Sequence, residues 1–221
     1  GHPQTNQFFK EVGHVTAYAP SGKTGKHLER CIYAKTIEDS CHLTDLPFLD
    51  QEFQEIQVSS IMSRVLVSHP WMGKRFEALL KLPQMKSILP LFGAVTAVVI
   101  SSHIFPSFYW SNTGAIYLSA DYLWQIPAEA SVMKEHIGGD GAHFSDIQMG
   151  YTSNYLIGGH SRRKIWKQKE RSLEDNFVLL ISVLIHELAH ANDYFPPSLR
   201  STLSRQIGIG QLSRTYMAYK V

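Results

Sequence analysis

The chain has 221 residues, a formal net charge of +2, 44% hydrophobic residues and 18% charged residues. This composition supports a folded core and excludes an intrinsically disordered chain. Because the net charge is small, we expect no long-range electrostatic attraction of the whole protein to nucleic acid or to a membrane surface. No apolar run reaches the roughly 18 residues that a membrane-spanning helix needs, so we expect no transmembrane segment. The length predicts a single domain, 1–221.

The first part of the chain, 1–49, is predicted to be an extended segment that contains a cysteine loop. Cys31 and Cys41 are the two cysteines, and their spacing is compatible with a disulfide that closes a small loop. Two free thiols are the alternative. We favour the disulfide, which indicates a periplasmic or secreted protein. No signal peptide is visible, and Gly1-His2 resembles a tag remnant, so we expect that a leader was removed.

The second part, 50–136, is predicted to hold helices and a sheet. Asp50 is expected to cap a first helix, and the β-branched run 94–100 indicates a buried strand. The aromatic residues of 105–110 fit either a hydrophobic substrate pocket or the core, and the sequence leaves both open. In chain order we predict helix 51–67, helix 71–82, strand 94–101, strand 114–118, a helical turn over 121–125, and helix 127–135.

The third part, 137–171, is predicted to be a long loop followed by a basic segment. The loop over 137–160 is rich in Gly, Ser and Asn and fits a cleft wall or lid. Ordinary solvated loop residues are the alternative for Asp140, His143, Asp146 and His160. Six of the ten residues 162–171 are basic and could bind phosphate or an acidic lipid surface. We favour a solvated segment and expect no nucleic-acid partner, because the segment lacks a base-stacking platform.

The last predicted helix, 172–193, ends in the sequence HELAH at 186–190. Residues four apart share one helix face, so His186 and His190 can direct two imidazole nitrogens at one metal ion. Glu187 is rotated off that line, close enough to act on a metal-activated water. This arrangement is typical of zinc hydrolases. Hydrogen-bonded core histidines at a helix end are the alternative.

The surroundings of this motif favour the metal site. Ser172 fits an N-cap with Asp175 three residues on, and Glu174 suits the positive end of the helix dipole. The run 177–185 is apolar nearly all round, so we expect a buried helix. Two histidines and a glutamate at the end of a buried helix cost free energy unless a partner satisfies them, and a metal ion would do so.

Residues 186–194 (HELAHANDY) resemble the active-site helix of zincin metallopeptidases, especially the gluzincins of the thermolysin type. The resemblance implies that His186 and His190 are zinc ligands and that Glu187 is the general base. Glu187 would take a proton from the zinc-activated water and pass it to the leaving amine. Asp193 would orient a ligand histidine.

The resemblance also implies a substrate cleft. In zincins an edge strand upstream of the helix borders the cleft and pairs with extended substrate, and residues 114–119 fit that strand. Zincins often supply a tyrosine that donates a hydrogen bond to the oxyanion. Tyr151, Tyr155 and Tyr194 are the candidates, and the sequence does not choose among them.

The third zinc ligand departs from the family pattern. Gluzincins supply a glutamate well downstream of the motif, and metzincins a histidine or aspartate, but 194–221 contains no Asp, Glu or His. Either Asp193 is the third ligand, or an upstream group folds back, or the chain is a fragment lacking a C-terminal part that supplies it. We slightly favour the fragment; a natural reading frame that stops at Val221 would contradict it. The upstream candidates are His160, His143 and Asp146.

These observations predict an α+β, zincin-like domain, mostly helical, with a small mixed sheet beside a buried active-site helix. The predicted function is a zinc-dependent metallopeptidase that hydrolyses a peptide or protein substrate, with zinc as the cofactor. The alternative is a catalytically silent zincin-fold domain for binding or scaffolding, which keeps the helix for structure.

Overall fold

A computed structural model of the protein describes residues 12–20, 24–137, 151–157, 160–166 and 170–218, with backbone alone at 134–137, 151–157, 160–166 and 216–218. The fold is α+β and is built on a five-stranded mixed sheet of order β1-β2-β3-β5-β4. Strands β2, β3 and β5 are parallel, while β1 and β4 are antiparallel to them at the two edges. The strands are β1 (Thr16–Ala17), β2 (Val65–Val67), β3 (Val98–Ser101), β4 (Phe108–Trp110) and β5 (Ala115–Ser119).

The helices surround this sheet, and a two-stranded antiparallel hairpin forms a second sheet. The α-helices are α1 (Leu28–Cys31), α2 (Leu49–Glu52), α3 (Val58–Met62), α4 (Pro70–Leu80), α5 (Pro127–Ile137), α6 (Leu173–Tyr194), α7 (Pro197–Arg200) and α8 (Ile209–Ala218). Short 3-10 helices span Thr24–Lys26, Pro83–Met85, Leu89–Ala94 and Ala120–Tyr122. The hairpin strands are β6 (Tyr151–Ile157) and β7 (His160–Trp166).

The central strands are buried on both faces, as parallel strands usually are. Their side chains alternate between two hydrophobic clusters, because successive residues of a strand point to opposite faces. One cluster packs under α4 and α6, and its strand residues are Val65, Val67, Val98, Ile100, Ile116 and Leu118. The other packs against the cysteine loop and α8, and its strand residues are Leu66, Val99, Ala115 and Tyr117.

The disulfide between Cys31 and Cys41 is present, with the two Cα atoms 5.5 Å apart, which confirms the predicted pairing. Its loop is tied to two other parts of the fold. The Ser40 hydroxyl donates to the Asn112 carbonyl at 2.6 Å and accepts from the Gly210 amide at 2.8 Å. The loop therefore joins the turn between β4 and β5 to the first turn of α8.

The prediction of one helix over 51–67 is wrong. The chain forms α2 and α3, and then enters the sheet as β2, because the apolar run Val65–Val67 pairs with β3. Asp50 does not cap a helix; Phe48 is the N-cap residue of α2 and Asp50 lies inside it. The carboxylate of Asp50 instead pairs with Arg200.

The strand predicted over 114–118 is confirmed as β5, but its expected edge position is wrong. Residues 115–119 form β5, which lies between β3 and β4, and the edge position belongs to β4 in the aromatic stretch. The predicted loop over 137–160 contains β6, which pairs with β7. The predicted strand over 94–101 begins only at Val98, after a 3-10 helix.

The remaining predicted helices are confirmed, as α4, α5 and α6. The start of α6 is also as predicted: the Asp175 amide donates to Ser172 Oγ at 3.1 Å, and the Ser172 amide donates to the Asp175 carboxylate at 3.0 Å. This reciprocal capping box fixes where the helix begins. Across the described residues, no helix combines the length and the apolar character that crossing a membrane requires.

Candidate functional site

His186 and His190 lie one turn apart near the end of α6, a helix of 22 residues. Their Nε2 atoms are 3.0 Å apart, their ring centroids are 4.5 Å apart, and the ring planes are almost perpendicular at 85°. Both side chains are exposed. The helix therefore brings the two nitrogens together at its surface, as the spacing predicted.

The expectation that α6 is buried all round is wrong. One face, including Leu180, Leu184 and Leu188, packs in the hydrophobic cluster under the sheet. The opposite face is exposed, because no described element covers it, and it includes an apolar side chain, Ile185, at 43% exposure. The exposed residues along this face are Ser182, Ile185, His186, Ala189, His190 and Asp193.

Glu187 turns away from this exposed face and is only 5% exposed. Burial raises the pKa of its carboxyl group above the ordinary value, because the charged form loses water. Two neighbours lower this pKa and offset part of the effect of burial. They are the His186 imidazole, through its positive potential, and the backbone N–H of Tyr109, which donates a hydrogen bond to the carboxylate. The motif thus separates into two exposed imidazoles and one buried carboxyl group.

Strand β4 lies next to the Glu187 side chain, through the backbone of Tyr109. It pairs with β5 on one side, with Tyr109 opposite Ile116, and lies at the end of the sheet. The Tyr109 ring packs 6.0 Å from the Tyr194 ring, measured between centroids. Its hydroxyl is buried and has no hydrogen-bond partner among the described residues, and burial holds its pKa well above the ordinary range.

Tyr122 is a second residue beside the buried carboxyl group, and the sequence analysis did not select it. Burial raises the pKa of its phenol, the charges of Asp121 and Glu187 raise it further, and a hydrogen bond with Ser107 lowers it. Its backbone is fixed to α6, because Asn176 Nδ2 donates to the Tyr122 carbonyl at 2.9 Å. The hydroxyl stays protonated through the neutral range and can act as a hydrogen-bond donor.

The segment around Tyr122 is held against the start of α6. Arg171 is buried, donates to the Asp121 carbonyl at 2.7 Å, and stacks its guanidinium 3.4 Å above the Trp124 ring centre. Asn176 also donates to the Trp124 carbonyl at 3.1 Å and accepts from Gln125 at 2.9 Å. These contacts make the 121–125 turn a fixed part of the site's surroundings.

Asp193 is exposed on the last turn of α6, three residues beyond His190. Within the described part of the chain, no group of three His, Cys, Asp or Glu residues that could hold a metal ion is found, and the role of Asp193 stays a prediction. The other candidate ligands Asp140, His143 and Asp146 lie outside the described residues. His160, Tyr151 and Tyr155 are described only as backbone in β6 and β7.

Comparison of the chain with protein-family models, curated proteins and solved structures found no match. The functional argument therefore depends on the residues and their geometry.

The two histidines fit a zinc ion as part of its ligand set. Two imidazole nitrogens that ligate one tetrahedral zinc at about 2.05 Å lie about 3.3 Å apart. The observed separation of the Nε2 atoms is 3.0 Å, so a small side-chain rotation would open the pair to that distance. The exposure of both imidazoles leaves room for further ligands, such as a protein group or water.

Proposed function

We propose that the protein is a zinc-dependent metallopeptidase whose site is formed by α6 and β4. The observation that carries this proposal is the pair of Nε2 atoms 3.0 Å apart at the surface, with the buried Glu187 next to them. When bound, zinc supplies Lewis acidity and lowers the pKa of a coordinated water. His186 and His190 would hold it through their Nε2 atoms.

Glu187 is the residue to which we assign proton transfer. Its carboxyl group is close enough to His186 for the imidazole to lower its pKa, and it accepts a hydrogen bond from the Tyr109 backbone of β4. These contacts support a position near a metal held by the two histidines. There it would take the proton of an attacking water and deliver it to the leaving amine. Tyr122, whose phenol is close enough to Glu187 for the carboxylate charge to raise its pKa, would donate a hydrogen bond to a developing oxyanion, and Tyr194 stays the second candidate.

The substrate is proposed to be an extended peptide or protein segment that adds to the outer edge of β4. Among the described strands, β4 has a partner only on its β5 side. The outward backbone groups of an edge strand can pair with an extended chain, which gives affinity without side-chain specificity. The Tyr109 N–H, which is directed at Glu187, would have to exchange that partner for the substrate. This role replaces the one expected for 114–119, since those residues lie inside the sheet.

The proposed fold assignment is zincin-like. Supporting it are a mixed sheet with an antiparallel edge strand and a long helix that packs on one face of that sheet and carries the HELAH sequence. The proposed location is periplasmic or secreted, because a disulfide forms and persists in an oxidising compartment.

The decisive experiment compares wild-type protein with Glu187→Gln on a mixed peptide library in the presence of zinc. We expect the wild type to cleave peptides and the variant to lose cleavage while it retains bound zinc. Retained cleavage by Glu187→Gln would remove this residue from the role of base.

A catalytically silent domain that binds or scaffolds is the second candidate. The observation that favours it is the absence, among the described residues, of a third ligand group close to the two histidines. No cleavage by a zinc-loaded wild type across the library would select this candidate. In that case His186 and His190 would retain a structural or binding function.

A further inference from the structure

Arg200, the final residue of α7, forms hydrogen bonds at the C-terminal end of α6. The Arg200 side chain is only 4% exposed and makes a close ion pair with Asp50, at 2.7 Å from Nε and 2.6 Å from Nη2. Its Nη1 donates to the Phe195 carbonyl, directly after the helix, and to Asn192 Oδ1 at 3.4 Å. One guanidinium therefore connects α2 to the C-terminal end of α6.

Asn192 extends this network along the helix. Its Nδ2 donates to the Leu188 carbonyl at 2.8 Å and to the Leu91 carbonyl at 2.9 Å. The first bond lies within α6, and the second crosses to the 3-10 helix over Leu89–Ala94. The Arg200 Nη1 contact is on the oxygen of the same amide, so both ends of the Asn192 side chain have hydrogen-bond partners.

Arg200 also adjoins the strand that faces Glu187. The guanidinium charge lowers the pKa of the Tyr109 phenol against the opposing effect of burial. Tyr109 belongs to β4, so the same cation is close to the edge strand, to the last turn of α6 and to α2. The hydrogen bonds and the ion pair of Arg200 join α2 to the end of α6, and its charge acts on β4 from a longer distance.

The last turn of a helix needs such support more than its middle does. The final four carbonyl groups have no partner within the helix, and helix ends open readily. His190 directly precedes these four residues, 191–194, whereas His186 lies one turn further inside. A rotation of the last turn that extends back to His190 would therefore change the separation of the two Nε2 atoms.

We propose that Arg200 is a positioning residue for the metal centre, which fixes the last turn of α6 so that His190 stays in register with His186. The inference rests on the proposed function, since it assigns Arg200 to that same site. Arg200 does not touch the metal position. It acts through the Phe195 carbonyl and Asn192, and its partner Asp50 holds it in place.

Arg75 provides a matched control. Like Arg200, it is a largely buried arginine that pairs with a carboxylate, Glu129 at 3.2 Å, and donates to a backbone carbonyl, Leu123 at 2.7 Å. It lies on α4 and makes no described hydrogen bond to the last turn of α6. Its loss should therefore weaken the fold without changing the positions of the histidines.

The test compares Arg200→Met, Arg200→Lys and Arg75→Met with the wild type. For each metal-free protein, the free energy of unfolding is measured in urea, and zinc affinity is measured by competition with a chromophoric chelator. We expect both methionine variants to be less stable. Of these two, we expect only Arg200→Met to bind zinc more weakly, by up to about 10-fold, the lower end of the range for loss of a residue bonded directly to a metal ligand.

Arg200→Lys keeps the positive charge beside Asp50 but loses the planar guanidinium, whose Nε and Nη2 pair with Asp50 while Nη1 donates to Phe195 and Asn192. It should fold even if Arg200→Met does not, and it should also bind zinc more weakly than Arg75→Met does. Wild-type zinc affinity in Arg200→Lys, and in Arg200→Met if that variant folds, would overturn the positioning role. Zinc binding that is unchanged in His186→Ala would instead overturn the proposed function, and the role of Arg200 with it.

Discussion

The carboxyl group of Glu187 is buried against the backbone of Tyr109, although the residue before it, His186, is exposed to solvent. The helix thus presents its imidazoles outward and its acid inward, against the sheet edge. Burial raises the pKa of this carboxyl group. A raised pKa in the folded state means that the charged form of Glu187 destabilises the metal-free protein.

Glu187→Gln should therefore make the metal-free protein more stable at neutral pH. Because the folded pKa exceeds the unfolded pKa, the folded state retains the proton longer, and the stability of the wild type falls as pH rises from the unfolded pKa through the folded one. Below the unfolded pKa the two proteins should differ little. Urea unfolding with a chelator present, at acidic and at neutral pH, measures this difference.

Glu174→Gln, at an exposed position in the first turn of the same helix, is the control and should not gain stability at neutral pH. A Glu187→Gln variant that is less stable than the wild type at neutral pH would contradict the burial cost assigned to this carboxyl group.

The disulfide should contribute about 2–3 kcal/mol to the free energy of unfolding, from the small loop that it closes. Replacing both Cys31 and Cys41 by serine should lower the stability by that amount. It should also loosen α8 and the turn at Asn112, because Ser40 of the loop binds both. Urea unfolding and amide hydrogen exchange at 110–114 and 208–212 measure these effects, and unchanged exchange there would show that the loop does not support them.

Asn176→Ala should destabilise the protein by about 2–3 kcal/mol, because it leaves the part-buried carbonyls of Tyr122 and Trp124 without their donor. Gln125→Ala, which removes one bond to Asn176, should cost no more than about 1 kcal/mol. Equal losses in the two variants would mean that Asn176 does not anchor the 121–125 turn. The free energies come from urea unfolding.

Gly114→Ala should cost about 2 kcal/mol or more. Gly114 has φ of +66°, which disfavours side chains, and an added Cβ would lie 2.8 Å from Thr96 Cγ2. Gly208 is the control, since an added Cβ there meets only Gln211, at 3.9 Å, and Gly208→Ala should cost less than about 1 kcal/mol. A shift in melting temperature no larger for Gly114→Ala than for Gly208→Ala would contradict the strained turn between β4 and β5.

The sequence predicted the parts of the site that depend on local patterns. The i, i+4 spacing placed His186 and His190 side by side, and the capping box located the start of α6. The cysteine spacing indicated the disulfide. Each of these follows from residues close in the chain, whose geometry is set by one helix or one short loop.

The parts that the sequence did not predict depend on contacts between distant residues. Asp50 reads as a helix cap, but its partner Arg200 lies 150 residues away. Residues 65–67 continue an amphipathic helical pattern, but pairing with β3 makes them a strand. The edge position of β4, and with it the placement of Tyr109 and Tyr122 around Glu187, depends on strand order, which periodicity alone does not specify.

The central claim is that His186 and His190 hold one zinc ion. The most direct test is elemental analysis of zinc per chain in the wild type, in His186→Ala, and in His42→Ala, an exposed histidine away from α6. We predict about one zinc per chain in the wild type and in His42→Ala, and loss of zinc in His186→Ala. Zinc that remains in His186→Ala, or a wild type that takes up none when zinc is added, would contradict the claim.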